Sequence, residues 1–395
     1  MTVYDWIVVG GGITGAALSY ELTRAGFSVL LLERHSQLQG ATRYGYGGLA
    51  YWAGTTELTR QICVEGKALH TQLTAELEAS TEYRELDLIL TITPDANLEA
   101  IEQFYTRFAD PPQLLTVEAA CELEPLLNPG AIAGAVTVKH GHIHPGKTAR
   151  AYLEAMQRHG STWQVEEVIQ LLRTGDRISG VQGRQTSYAS NNIVICAGAL
   201  SRKLLKQAGI PVRTYFTHAE LIETPRVDLR LRTLVMPAET QRFHLEISSS
   251  QATLDPHWDT PGQELAPAIL DAGAIQFLDG SLRLGQVSRA LSDPDAPIDR
   301  ADSEARIRAE VGRVLPALAD IPGTWHHCLV AFSADQLPLI GTLPDHPGLY
   351  LFTGFSNPLA IVPPLARRFA GWARGQADPL LEQLSPTRFQ PETQA

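Results

Sequence analysis

The sequence predicts an α/β protein of two lobes, one Rossmann-like and the other an α+β unit built on an antiparallel sheet. Three observations carry this. Residues 5–33 read strand, glycine turn, helix, strand. Several short β-prone runs, each bounded by turn signals, fill the middle of the chain. The length of 395 residues exceeds what one hydrophobic core usually holds.

In the first unit "WIVV" is an apolar strand, "GGGITG" breaks it, "AALSYELTRAG" has helical spacing and "FSVLLLE" is a second strand. Gly10, Gly12 and Gly15 form GxGxxG. The first permits a tight turn, the second leaves room for a pyrophosphate against the backbone, and the third lets helix and strand approach. Ile13 and Thr14 open the helix, whose N-terminus presents free N–H groups and a positive dipole end to a diphosphate. Glu33, followed by Arg34, ends the second strand where a carboxylate accepts from ribose hydroxyls. An acid there disfavours a 2′-phosphate, so FAD or NAD is expected rather than NADP.

Composition narrows the partners. With 44% apolar and 19% charged residues the chain reads as globular, and its net charge of −11 leaves no basic stripe for nucleic acid. A small-molecule substrate is expected. Cysteines 63, 121, 196 and 328 are dispersed, without CxxC spacing, as suits free thiols in a reducing compartment. The N-terminal apolar run is interrupted by glycines, and no stretch approaches the ~20 residues of a membrane span, so a cytoplasmic setting with no integral membrane segment is the expectation. His142, His144, His218 and His244 lack metal-ligand spacing, and no metal is expected.

A second glycine-rich stretch, "GATRYGYGGLAYWAG", spans residues 40–54, and Thr42 and Arg43 offer it a hydroxyl and a cation. Here the chain resembles the FAD-dependent family of D-amino acid oxidase, glycine oxidase and monomeric sarcosine oxidase. Thr42, Arg43, Gly47, Gly48 and Leu49 fall on that family's loop beside the flavin. "VEEVIQLL" resembles the strand that meets adenine near Val168, and "NNIVICAGALSRKLL" the strand whose Ala197 and Gly198 pass under the cofactor. The segment from "SADQLPLIG" to "ARRFAGW" resembles the closing motif, with Asp335, Pro338, Gly341, Gly354, Ser356 and Asn357 in place. A helix from about Ala360 to Trp372 would point its N-terminus at charge developing on the ring.

The resemblance implies a Rossmann-like FAD-binding lobe of the glutathione-reductase type, formed by 1–85, 141–215 and 326–375. A substrate lobe of 86–140 and 216–325 and a polar C-terminal tail of 376–395 complete the expectation. It also implies an oxidase of a small amine or amino acid that yields an imine and hydrogen peroxide, with dioxygen or another electron acceptor as partner. The alternatives are a same-fold dehydrogenase of an amine or hydroxy acid, and a flavin-binding protein without turnover. The oligomeric state is not legible.

Departures from the family pattern bear on the substrate. Val330 stands where amino-acid-oxidising relatives carry a carboxylate-binding Arg, and Ile361 where sarcosine-oxidising relatives carry a Lys. Arg60 and Arg242, with His244 near the latter, are candidates to replace them, and Tyr51 and Trp52 offer aromatic faces to an amine. Arg283 stands where a Lys assists dioxygen, and is the candidate catalytic residue. Cys328, seven places before Asp335, stands where close sarcosine-oxidase relatives attach the flavin through a thioether. A buried packing thiol is the other reading. Covalent attachment needs a partly deprotonated sulfur, and alternation makes His326 rather than His327 its nearer helper.

Overall fold

The computed structural model describes residues 4–389. Strand Trp6–Val9 is buried along its whole length, as four successive apolar side chains require of a strand covered on both faces. It lies within a six-stranded sheet ordered Leu339–Thr342, Leu349–Thr353, Ile193–Ile195, Trp6–Val9, Val29–Glu33, Thr162–Val165. Neighbours run parallel except in the hairpin of Leu339–Thr342 with Leu349–Thr353. Five carboxyl ends therefore open on one side, which is where ligands bind sheets of this kind.

Helices Ile13–Arg24, Pro145–Arg158 and Pro358–Ala373 pack together on one face of this sheet. The antiparallel strands Val168–Thr174, Arg177–Gly183 and Ser187–Ala189 pack on the other. Helix Pro358–Ala373 carries Pro363 and Pro364 inside it, so the carbonyls of Leu359 and Ala360 lose their ordinary i+4 donors. Helix Glu57–Glu76 supplies the remedy. His70 Nε2–H donates to Leu359 O at 2.7 Å, and Gly66 is so close to Ala360 O that a β-carbon there would overlap it.

The second sheet runs Thr324–Ser333, Thr214–Glu223, Leu282–Leu291, Glu264–Gln276, Leu234–Pro237, Arg84–Ile92, Gly134–His142, Gly48–Leu49, with Gln113–Leu115 also on Gly134–His142. It is mostly antiparallel; Leu234–Pro237 pairs parallel with Arg84–Ile92. Helix Arg300–Val314 seals one face through Ile307 and Val311. The segment boundaries expected at 85, 140, 215 and 325 need correction, because each falls inside a strand of this sheet. Each of these strands is paired along its whole length within the one sheet, so a cut placed inside it would divide a continuous ladder.

No helix among the described residues is long and apolar enough to cross a membrane. The expected polar tail is also corrected. Leu380, Leu381 and Leu384 are buried in the core beside helix Pro358–Ala373, and Arg388 forms two bonds of 2.8 Å to the Asp335 carboxylate. Residues 390–395 of that tail lie outside the described residues.

Burial alone would raise the Asp335 pKa, but the bonds from Arg388 outweigh it and hold the carboxyl below its ordinary value. A depressed folded pKa stabilises the protein above the unfolded value and stops doing so as pH falls through the folded one. Arg388→Ala should therefore cost roughly 1–2 kcal/mol at neutral pH. The melting temperature should drop a few degrees, and its gap from the parent should narrow on acidification below about pH 4 without closing, because Arg388 also donates to the carbonyls of Leu337, Pro338, Leu384 and Ser385.

Candidate active site

The parallel strands deliver Gly10, Arg34, Glu166, Ala197 and Gly354 to the wall of one cavity of about 1570 Å³. That exceeds the ~300–1,000 Å³ typical of a small-ligand pocket and leaves room for a dinucleotide and a substrate together. Gly10 has φ +106°, and a β-carbon on it would stand 2.6 Å from Cys196 O. One on Gly15 would overlap Gly10 O. Only bare backbone lets the helix meet the strand end this closely. Val9, Gly12, Ile13 and Thr14 complete this wall.

Thr42 lines the cavity as well. Its hydroxyl, on the short helix Gly40–Tyr44, accepts from Ile13 N at 3.0 Å and caps the first helix, whose own N-cap is a glycine. Glu33 accepts from Gly11 N at 2.7 Å and His35 N at 3.1 Å, which fixes its carboxylate at the cavity edge. Arg34, Val168, Ala197 and Gly198 all line the same end. A glycine cradle, a helix N-terminus and a fixed carboxylate in one elongated cavity fit FAD.

At the other end Gly47, Gly48, Gly354, Ser356 and Asn357 line the wall. A β-carbon on Gly48 would stand 2.6 Å from His140 Nε2. Leu49 is buried behind this wall instead of lining it. Arg43 also misses the cavity: its guanidinium makes two bonds of 2.7 Å to Glu223, about 100° round the helix from Thr42. Arg283 is corrected in the same way. It is 2% exposed, donates to the carbonyls of Arg43 and Gly45, approaches Glu223 at 3.5 Å and lies over the Phe277 ring. It braces the glycine loop from behind and does not reach the cavity.

Of the substrate candidates, Trp52, Arg242 and His244 line the cavity, whereas Tyr51 and Arg60 do not. Tyr51 donates to Glu85 at 2.6 Å under the Lys67 ammonium, and Arg60 bonds to the carbonyls of Gly54 and Arg107. Cys328 lines the cavity, but burial pushes its thiol up to about 12, with Arg283 pulling the other way. Neither histidine assists it: His326 stacks on Tyr44 at 4.5 Å beside Glu223, and His327 bonds to His218 at 2.8 Å.

The structure adds residues that the sequence reading passed over. Glu246, fully buried, holds Arg242 at 3.2 Å and accepts from Ser356 Oγ at 2.6 Å. Asp271 lines the cavity and accepts from the backbone N–H groups of Gln241 and Arg242, capping their helix. Burial raises both carboxyls above their ordinary values. His140 Nδ1 accepts from Trp52 Nε1–H at 3.0 Å, and burial lowers this histidine to about 3. Signals for them existed: Glu246 is four places from Arg242 on a helix, and Asp271 interrupts the apolar run "AILDAGAI".

These features fit a flavoprotein that would hold its dinucleotide at the strand ends, with a mixed sheet toward the far end of the cavity. Residues 5–372 match the family model described as FAD dependent oxidoreductase, DAO, and the chain belongs to that family. It is 24% identical to the uncharacterized oxidoreductase YurR of Bacillus subtilis, over 97% of both chains. With glycine oxidase of Pseudomonas aeruginosa it shares 25% identity over 95% of this chain and 96% of that one. Glycine oxidase from Geobacillus kaustophilus has the same fold, with a TM-score of 0.81 at 20% identity over 98% and 99% of the two chains. Iminodiacetate oxidase from Chelativorans gives 0.78 at 19% identity over 96% and 98%. The protein is an FAD-dependent oxidoreductase.

Gly15→Ala should abolish flavin retention, read as the ratio of visible to ultraviolet absorbance of the purified protein. A yellow, saturated variant would contradict the close approach of helix and strand. The protonated thiol of Cys328 favours flavin held without a covalent bond. Acid precipitation should release intact FAD to the supernatant, and colour kept in the pellet would restore the thioether reading.

Proposed function

We propose that the protein oxidises the C–N bond of an α-amino acid. The substrate carbon gives up a hydride and its nitrogen a proton, leaving an imine, and dioxygen accepts the two electrons and two protons as hydrogen peroxide. FAD, when bound, supplies the electron acceptor for the first half. The observation that carries the reading is that Arg242 and Asp271 both line the cavity, Asp271 accepting from the Arg242 backbone N–H while the guanidinium is engaged by Glu246. A guanidinium suits a carboxylate and a carboxylate suits an amine, so the two together match the two ends of an amino acid. Relatives named glycine oxidase and 4-methylaminobutanoate oxidase support an amine donor.

Glu246 gives Arg242 its direction. It engages the guanidinium from a fully buried position, and the Ser356 carbonyl accepts from the same nitrogen at 3.3 Å, so the cation is held at the cavity wall. Asp271, with its raised carboxyl and two backbone donors, is placed to orient the amine and to receive its proton.

One observation favours a second reading, a dehydrogenase passing electrons to a carrier. The cation expected beside the ring, Arg283, is withdrawn behind the loop and cannot stabilise a reduced dioxygen species. Anaerobic addition of amino acids and amines, followed by air, separates the two. Bleaching with fast return of colour and peroxide supports the oxidase, and slow return with brisk dye-linked turnover supports the dehydrogenase. Failure of every substrate to bleach the flavin would leave a binding protein. Arg242→Ala should lower kcat/KM for amino acids about 10²-fold, mainly through KM, and affect the corresponding plain amines far less.

A further inference from the structure

Beyond Arg242 and Asp271, the cavity changes character. Its wall on that side is made by Trp52, Phe104, Tyr105 and Phe108, with Leu88 and Leu90 from the neighbouring strand. The rings hold one another edge to face: Trp52 and Phe108 at 5.3 Å and 71°, Phe104 and Phe108 at 5.6 Å and 65°. Helix Leu98–Tyr105 carries two of them.

The polar atoms of this wall are already engaged. Tyr105 donates its hydroxyl proton to Ala238 O at 2.7 Å. Trp52 donates its indole proton to His140 Nδ1. Because an indole only donates, Nδ1 must be the bare nitrogen of His140 and the proton sits on Nε2, beside Gly48. Arg107 and Glu239, both exposed, also line the cavity, and the Arg107 guanidinium lies over the Phe104 ring at 3.8 Å. The wall made by the six apolar side chains is aromatic and aliphatic surface, with the neutral His140 Nε2–H behind it.

We propose that this chamber receives a large apolar substituent, so that the substrate is an amino acid with an aromatic or branched aliphatic side chain, not glycine or sarcosine. The inference rests on the amino-acid reading above. An ionic head held at Arg242 and Asp271 directs the rest of the molecule away from the polar end. A substrate without a side chain would leave the aromatic faces against water and gain nothing from them. Each methylene buried there multiplies kcat/KM about fourfold, so a four-carbon substituent is worth roughly 10²-fold.

The test uses the FAD-loaded enzyme and anaerobic flavin bleaching with glycine, sarcosine, leucine and phenylalanine, both enantiomers where they exist, and the matching plain amines. The expected result is a reduction efficiency for leucine or phenylalanine about 10²-fold above that for glycine. Ala100→Trp, at an exposed position of the chamber helix, should fill the space without disturbing the core and cut that ratio by tenfold or more. If glycine or sarcosine is the best substrate, the chamber proposal fails while amine oxidation stands. It fails too if Ala100→Trp leaves the ratio unchanged. If plain amines match their amino acids throughout, the ionic-head reading fails and the chamber's preference for bulk is judged among the amines alone. If nothing bleaches the flavin, both readings fall.

Discussion

The site depends on the absence of two side chains. Gly15 lies against the carbonyl of Gly10, and Gly10 against that of Cys196, with no room for a β-carbon at either. That contact seats the first helix directly on two strand ends. Its N-terminus then reaches Thr42, which fixes the start of the glycine loop. Arg283 grips the same loop by the carbonyls of Arg43 and Gly45, and Arg43 ties it to Glu223 in the large sheet. The two ends of the cavity are thus one mechanical unit.

Charge is distributed with equal economy. Arg43, Arg283 and His326 all gather on Glu223, behind the loop. This leaves Arg242 as the arginine at the inner polar end, and it too is held by a buried acid. Burying a guanidinium without such a partner costs more than its contacts return, so each inward arginine comes with a carboxylate. The pairing decides which cations reach a ligand and which only shape the wall.

Much of this was legible in the sequence. The opening strand, glycine turn and helix follow from local rules, and Gly10, Gly12, Gly15 and Glu33 stand where those rules place them. The closing helix was also readable, from the turn "TGFSN" onward. What local rules do not carry is side-chain destination. Nothing near Arg283 announces that it meets carbonyls 240 and 238 residues away, and nothing near Tyr51 announces Glu85. The expected segment boundaries fall inside strands for a related reason, since pairing partners distant in sequence set where those strands begin. The last residues read as a loose end because a lone Arg in a polar run gives no hint of a partner 53 positions earlier.

The paired prolines of helix Pro358–Ala373 have a consequence for how the two ends of the chain are joined. A helix normally completes its first turns from its own donors, but this one leaves Leu359 O to His70, 289 residues earlier in the chain. Its first turns are therefore not self-sufficient. The carbonyl that Pro363 leaves open is satisfied only with a helix from the N-terminal half beside it. The C-terminal segment is in this way bound to the beginning of the chain by a hydrogen bond that spans most of the sequence, and loss of His70 would leave a buried carbonyl unpaired at the start of the helix.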